Sequence, residues 1–145
     1  MSFTEDVKRA VRQMKELDRV LDQALPEAAE AGALRFKRGA KQRVPKRTGD
    51  LEKSIDDRTG DQRRGYAEHV VFSDLFYAPF VEYGHAGGLI RPDRARALQI
   101  GDDFFANASA GGASPRPFFR TTADQDENDI KRAIESAINR RVNAI

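Results

Sequence analysis

Residues 45–55 read PKRTGDLEKSI, and three chemistries compete for the first seven of them: a phosphate cradle, a metal loop or a folding hinge. A cradle needs several convergent backbone N–H groups and a Lys-Ser/Thr pair opening a helix, but this run has one glycine in the turn and no pair so placed. A hinge is what remains. Pro45 pushes Val44 out of the helical region and so ends whatever helix precedes it. Thr48 then caps a short turn next to Gly49, Leu51 anchors it, and Ser54-Ile55 enters a strand.

Upstream of the hinge, Val7, Val11, Met14, Leu17, Leu21 and Leu25 recur every three or four residues, the helical period. With Thr4 as a cap and Glu5 and Asp6 in the first turn, a helix is predicted from about Thr4 to Ala24. Pro26 suits the first turn of a new helix, which then runs to about Arg43. Its stripe of Ala28, Ala31, Leu34, Phe36 and Ala40 is weak. Gly32 and Gly39 each lower its propensity by about 1 kcal/mol, so it needs a packing partner.

Downstream, SIDDRTG (54–60) and YAEHVVFS (66–73) read as two antiparallel strands separated by the turn-rich GDQRRG (60–65). DLFYAPFVEYG (74–84) is the most apolar stretch, and its pattern fits a helical turn and a bent strand equally. HAGG, ASAGGAS and two prolines make 85–115 a long glycine-rich loop, of a length usually tied to function or disorder. Thr122 and Gln125 form a capping box for a C-terminal helix with Ile130, Ile134, Ala137, Ile138 and Val142 on one face. The expected fold is α+β in a single domain over 1–145. Two N-terminal helices (1–44) and a terminal helix (116–145) pack on a small antiparallel β-sheet reached through the hinge (45–84).

The 145 residues include no cysteine, which excludes disulfides, thiolate zinc sites and thiol nucleophiles. MSFTEDVKRAV alternates charged and apolar residues and reads as no secretion signal, and no run approaches the roughly 20 apolar residues of a membrane span. A soluble protein of a cytoplasm or a particle is expected. His69 and His85 are the only histidines and lie in no two-ligand spacing. Asp124, Asp126, Asn128 and Glu135 match calcium-loop positions, yet Asp129 stands where the sharp turn requires glycine, and the same acids suit the first turn of a helix. Asp102-Asp103 is a carboxylate pair, but neighbours in sequence usually point apart on a helix or strand, so no shared site is expected. Neither a catalytic constellation nor a cofactor motif is present.

Net charge is only +2, from 25 basic and 23 acidic residues, but its distribution is uneven. Arg35, Lys37, Arg38, Lys41, Arg43, Lys46 and Arg47 form a run of cations with no acid among them. Two readings stand: a solvated helix face, or a contact surface for nucleic acid or another anionic partner.

Three pieces in order, VPKRTGDLEKSI, YAPFVEYG and RPFFRTTA, give the chain a resemblance to the tail-completion (head-tail joining) proteins of long-tailed bacteriophages. The positions that carry it are Pro45, Thr48, Gly49, Leu51 and Ser54, then Tyr77, Ala78, Val81, Glu82 and Gly84, then Arg116, Pro117 and Phe118. The resemblance implies a non-enzymatic virion protein without cofactor, membrane or small-molecule substrate. It would form a ring in the neck or at the head-proximal end of the tail, assembled in the host cytoplasm, touching neighbouring neck and tail proteins and passing the genome through its lumen. Packing arithmetic favours a homo-hexamer. A 145-residue globule is about 38 Å across, six in a ring leave a hole of about 38 Å, and twelve leave about 110 Å. Duplex DNA, about 20 Å wide, fits the first.

Glu82 sits inside an apolar run, where an unpaired charge is costly to bury. Arg116, which opens the third motif, is its expected partner.

Overall fold

A computed structural model describes residues 2–90, 98–100, 103–105 and 108–145. Pro45 does stop a helix, but only one helix precedes it. α1 runs unbroken from Phe3 to Arg43 with Pro26 inside it. The two-helix expectation fails because the buried positions Val20, Ala24, Ala28 and Gly32 step by four through the proline, and that stripe keeps its phase only if the helix does not break. A mid-helix proline costs about 3 kcal/mol, part of which the fold absorbs through packing. Pro26→Ala is therefore expected to stabilise the protein by about 1–2 kcal/mol, seen as a raised thermal midpoint. A lowered midpoint would show that the proline is required for the packing.

Val44 is buried and leaves the helix with extended backbone. Gly49, at φ +80°, turns the chain into α2 (Asp50–Ser54), a left-handed position that any other residue would strain. Thr48 acts through Asp50, whose backbone N–H it accepts and whose carboxylate it donates to at 2.9 Å. Leu51 is buried, and the Ser54 hydroxyl lies 2.7 Å from both the Leu51 carbonyl and the Ser73 hydroxyl. Ser54→Ala removes both contacts and is expected to cost about 1 kcal/mol. A change in the urea midpoint at constant slope would register it.

β1 (Ile55–Arg63) and β2 (Tyr66–Ser73) pair antiparallel, with Ile55 opposite Ser73 and Arg63 opposite Tyr66. The turn is narrower than GDQRRG suggested. The register shifts between Thr59 and Gln62, a bulge at Gly60-Asp61 that lets β1 continue to Arg63. Glu68 supports it by accepting the Asp61 N–H at 3.1 Å. Gly65 donates its N–H to Asp22 at 2.9 Å and Arg64 pairs with Asp18, which pins the hairpin turn to α1.

The terminal region is two helices, α4 (Phe119–Gln125) and α5 (Glu127–Val142), broken at Asp126. Thr122 is no cap. It lies within α4, fully buried, donating its hydroxyl to the Phe118 carbonyl at 2.6 Å. Ala137 is buried and Ile130, Ile134, Ile138 and Val142 are half-buried, so the predicted apolar face holds. α1 packs on α5, α4 and both strands. Phe118, 1% exposed, stacks near Phe119 (4.8 Å), which in turn meets Phe36 of α1 (5.6 Å).

The chain divides into two compact units. The first comprises 1–74 and 118–145, just described. The second, 75–117, opens with α3 (Ala78–Tyr83), so the apolar run is helical, and Gly84 ends it at φ +72°. The expected loop of 85–115 contains paired strands. His85 bridges Ala113, β3 (Gly88–Ile90) pairs antiparallel with β6 (Ala108–Ala110), and β4 (Leu98–Ile100) with β5 (Asp103–Phe105). Glycine-rich composition hid a ladder held by backbone hydrogen bonds, which glycine supplies as well as any residue. Residues 91–97, 101–102 and 106–107, Asp102 among them, lie outside the described residues.

Candidate functional site

The basic run is the feature with most potential chemistry, and the fold engages much of it internally. α1 carries Arg35, Gly39 and Arg43 at intervals of four, hence on one face. That face meets the break between α4 and α5. Arg43 binds Asp126 through two hydrogen bonds of 2.8 Å, one to each carboxylate oxygen. Arg35 adds a third at 3.2 Å and reaches Asp129 at 3.1 Å. Arg43 also donates to the Thr122 hydroxyl and the Gly39 carbonyl, each at 3.3 Å. The Asp126 side chain is 9% exposed and that of Arg43 24%. The hydrogen bond from Arg43 holds the Asp126 carboxyl below its usual range, against the opposing effect of burial.

A second cluster ties α1 to the hairpin. Lys37 donates to Asp57 at 2.7 Å and to Asp56 at 3.0 Å, while His69 lies 2.6 Å from the other oxygen of Asp57. The bond from Lys37, followed by that from His69, lowers the Asp57 pKa. An Asp-His pair invites a catalytic reading, but no hydroxyl nucleophile is found within hydrogen-bond reach of this His69 among the described contacts. The pair acts as a strut between β1 and β2. His69 also borders a shallow groove floored by Ala29, Gly32, Ala33 and Phe36 of α1 and closed by Ile130 and Ile134 of α5.

Lys46 lies 3.4 Å from Glu52. Of the seven cations, Arg38, Lys41 and Arg47 are left without an acidic partner among the described residues. A nucleic-acid surface built on the whole run is thus reduced to three charges. Of the residues that mimic a calcium loop, Asp126 is likewise occupied. Both Asp126 oxygens accept from guanidinium groups, and Asp129 binds Arg35 and Arg132. Sequence reading treated those acids and the cations as separate features. Only an alignment of α1 against the helix break, absent from local pattern, joins them.

The hinge positions Pro45, Thr48, Gly49, Leu51 and Ser54 lie within or just before α2. In the second unit, Tyr77 precedes α3, Val81 is half-buried, and Glu82 is 4% exposed. Among the described contacts the Arg116 side chain does not pair with Glu82, and a backbone link joins Arg116 to α3 instead. Arg116 is exposed, and its N–H donates to the Val81 carbonyl at 2.8 Å. A main-chain donor satisfies the end of α3 without burying a guanidinium. The third motif crosses between units at Pro117-Phe118.

The fold and its charge clusters define an α+β protein whose densest polar site is a structural clamp. Residues 8–84 match the model of the HK97-gp10-like family, described as "Bacteriophage HK97-gp10, putative tail-component". The chain belongs to this family of bacteriophage tail components. The match takes in the hinge and the α3 motif and ends at Gly84. No curated protein and no solved structure matches the chain.

Proposed function

We propose that this tail component is a non-enzymatic ring protein of the phage neck or the head-proximal end of the tail, a hexamer that joins tail to head and passes the genome through its lumen. Support comes from the family match over the hinge and α3, together with the internal pairing of Arg35, Lys37, Arg43 and Lys46. The pairing carries most weight. A protein that gripped DNA would hold those cations free for phosphate, since each phosphate neutralised requires one. A lumen wall needs only to let the duplex pass.

Its partners on this reading are further copies of itself and the adjoining neck and tail proteins, in the virion after assembly in the host cytoplasm. Electron microscopy of the purified protein is expected to show six-fold rings whose hole is wider than a DNA duplex, about 20 Å. Monomers at every concentration, or open filaments, would overturn the ring. The competing module reading makes a different demand, sequence-independent DNA binding tighter than micromolar at moderate salt. A gel shift of that strength would replace the ring proposal with it.

A further inference from the structure

The first five turns of α1 have almost no cover. Val7, Val11, Met14 and Leu17 are 46%, 44%, 71% and 41% exposed, and Phe3 is 85% exposed. These positions are not scattered. Phe3, Val7, Ala10, Met14, Leu17 and Leu21 are spaced 4-3-4-3-4, a heptad seam of a and d positions. Seven of the nine charged residues from Glu5 to Arg19 fall on the outward b, c and f positions, with Asp6 and Asp18 the exceptions. A solvated helix has no reason to keep its charges off one stripe.

The same seam continues as Ala24 and Ala28, which are 0% and 2% exposed. There it is covered by α5, which runs antiparallel to α1: Asp126 meets Arg43 at its start, and Arg141 pairs with Glu27 near its end. α5 stops at Val142, so the track it occupies stays open from about Leu21 back to Phe3. A shallow apolar groove lined by Val11, Met14, Leu17 and Leu21 marks the open part.

We propose that a second copy of this chain fills it, its α1 lying antiparallel to the first and continuing the track where α5 ends. The occupant is identified by self-complementarity. In an antiparallel pair each a position faces a d position of the partner. A two-fold axis midway along the stripe sets Phe3 against Leu21, Val7 against Leu17, and Ala10 against Met14, so the smallest side chain faces a long one. A parallel pair would set Ala10 against Ala10 and leave a gap. It would also align the two helix dipoles, which the antiparallel arrangement opposes favourably. The flanking positions bring no like charges together: Val11 faces Val11, Gln13 faces Gln13, and Asp18 lies by Thr4. The seam spans about 27 Å, with about a dozen residues a side on its a, d, e and g positions, the small contact of a weak, micromolar association. This contact is isologous, so it is separate from the head-to-tail contacts of a ring and stands or falls independently of them.

The cysteine-free chain makes the geometry directly testable. Two full-length variants, Val11→Cys and Phe3→Cys, are treated with a short bismaleimide cross-linker, and the mass of the unmodified protein is followed by sedimentation equilibrium at micromolar concentration. Val11→Cys is expected to link to itself near the axis. Phe3→Cys is not, because the two sites lie about 27 Å apart. Leu17→Asp is expected to weaken association by about 100-fold with an unchanged circular dichroism spectrum, since Leu17 makes little intramolecular contact. Self-linking of Phe3→Cys without Val11→Cys would overturn the antiparallel arrangement. A mass of one 16.2 kDa chain throughout, or an oligomer that Leu17→Asp leaves intact, would overturn the contact altogether.

Discussion

Asp126→Ala is expected to destabilise the protein by about 3–4 kcal/mol. Removing the carboxylate strands the Arg43 guanidinium between Gly39 and Thr122 and takes a partner from Arg35. Breaking a buried pair costs about 3–5 kcal/mol, and the residual exposure of Arg43 places this case toward the lower end. Arg35 keeps Asp129, which limits the loss. The double variant Asp126→Ala with Arg43→Met, which leaves no stranded charge, should recover more than half of the lost stability. Urea denaturation of the two variants checks both numbers, and an Asp126→Ala loss below about 1 kcal/mol would show the clamp to be energetically idle.

The clamp also fixes the sign of the acid response. Asp126 and Asp57 both have folded-state pKa values below their unfolded ones, because Arg43 and Lys37 respectively hydrogen-bond to the charged form. Below about pH 4 the unfolded chain binds protons that the folded chain does not, so stability is full above the unfolded value and falls as pH drops toward the folded values. Thermal midpoints measured from pH 6 down to pH 2 should decline mainly below pH 4. The decline should be shallower in the double variant, which has already lost the Asp126 contribution.

Gly39→Ala is the second large effect, expected at about 2–3 kcal/mol despite alanine's better helix propensity. A Cβ at this position would lie 2.1 Å from an Asp126 oxygen and 2.8 Å from the Thr122 methyl carbon. Asp126 must then leave Arg43 or the α4-α5 break must move off α1. The propensity gain of about 1 kcal/mol is smaller than the loss of a buried, doubly hydrogen-bonded pair. Gly39→Ala in the Asp126→Ala background should therefore cost much less than alone, because the obstructed group is gone. A thermodynamic cycle across the two sites measures that coupling, and strict additivity would refute the steric account.

Local pattern was enough for much of this fold. The α1 end at Arg43, the hinge with buried Leu51, the two paired strands and the apolar face of α5 each follow from a neighbouring proline, a turn or a repeat of three to four residues. Those signals are short-range, so the chain states them openly. The ladder within 85–115 was invisible for the opposite reason. Its strands are three residues long, too short for an alternating pattern to register, and backbone pairing leaves no mark in hydropathy.

By itself, then, the sequence determined where α1 stops, that 48–51 turn the chain, and that 35–47 concentrates positive charge. Tertiary structure alone decided that Pro26 stays inside a helix, that Asp126 breaks one, and that Arg35, Lys37, Arg43 and Lys46 are directed at acids of the same chain. Arg43 and Asp126 are 83 residues apart in sequence. A charge's meaning depends on what the fold brings within about 3 Å of it, and local spacing carries no information about a partner that distant.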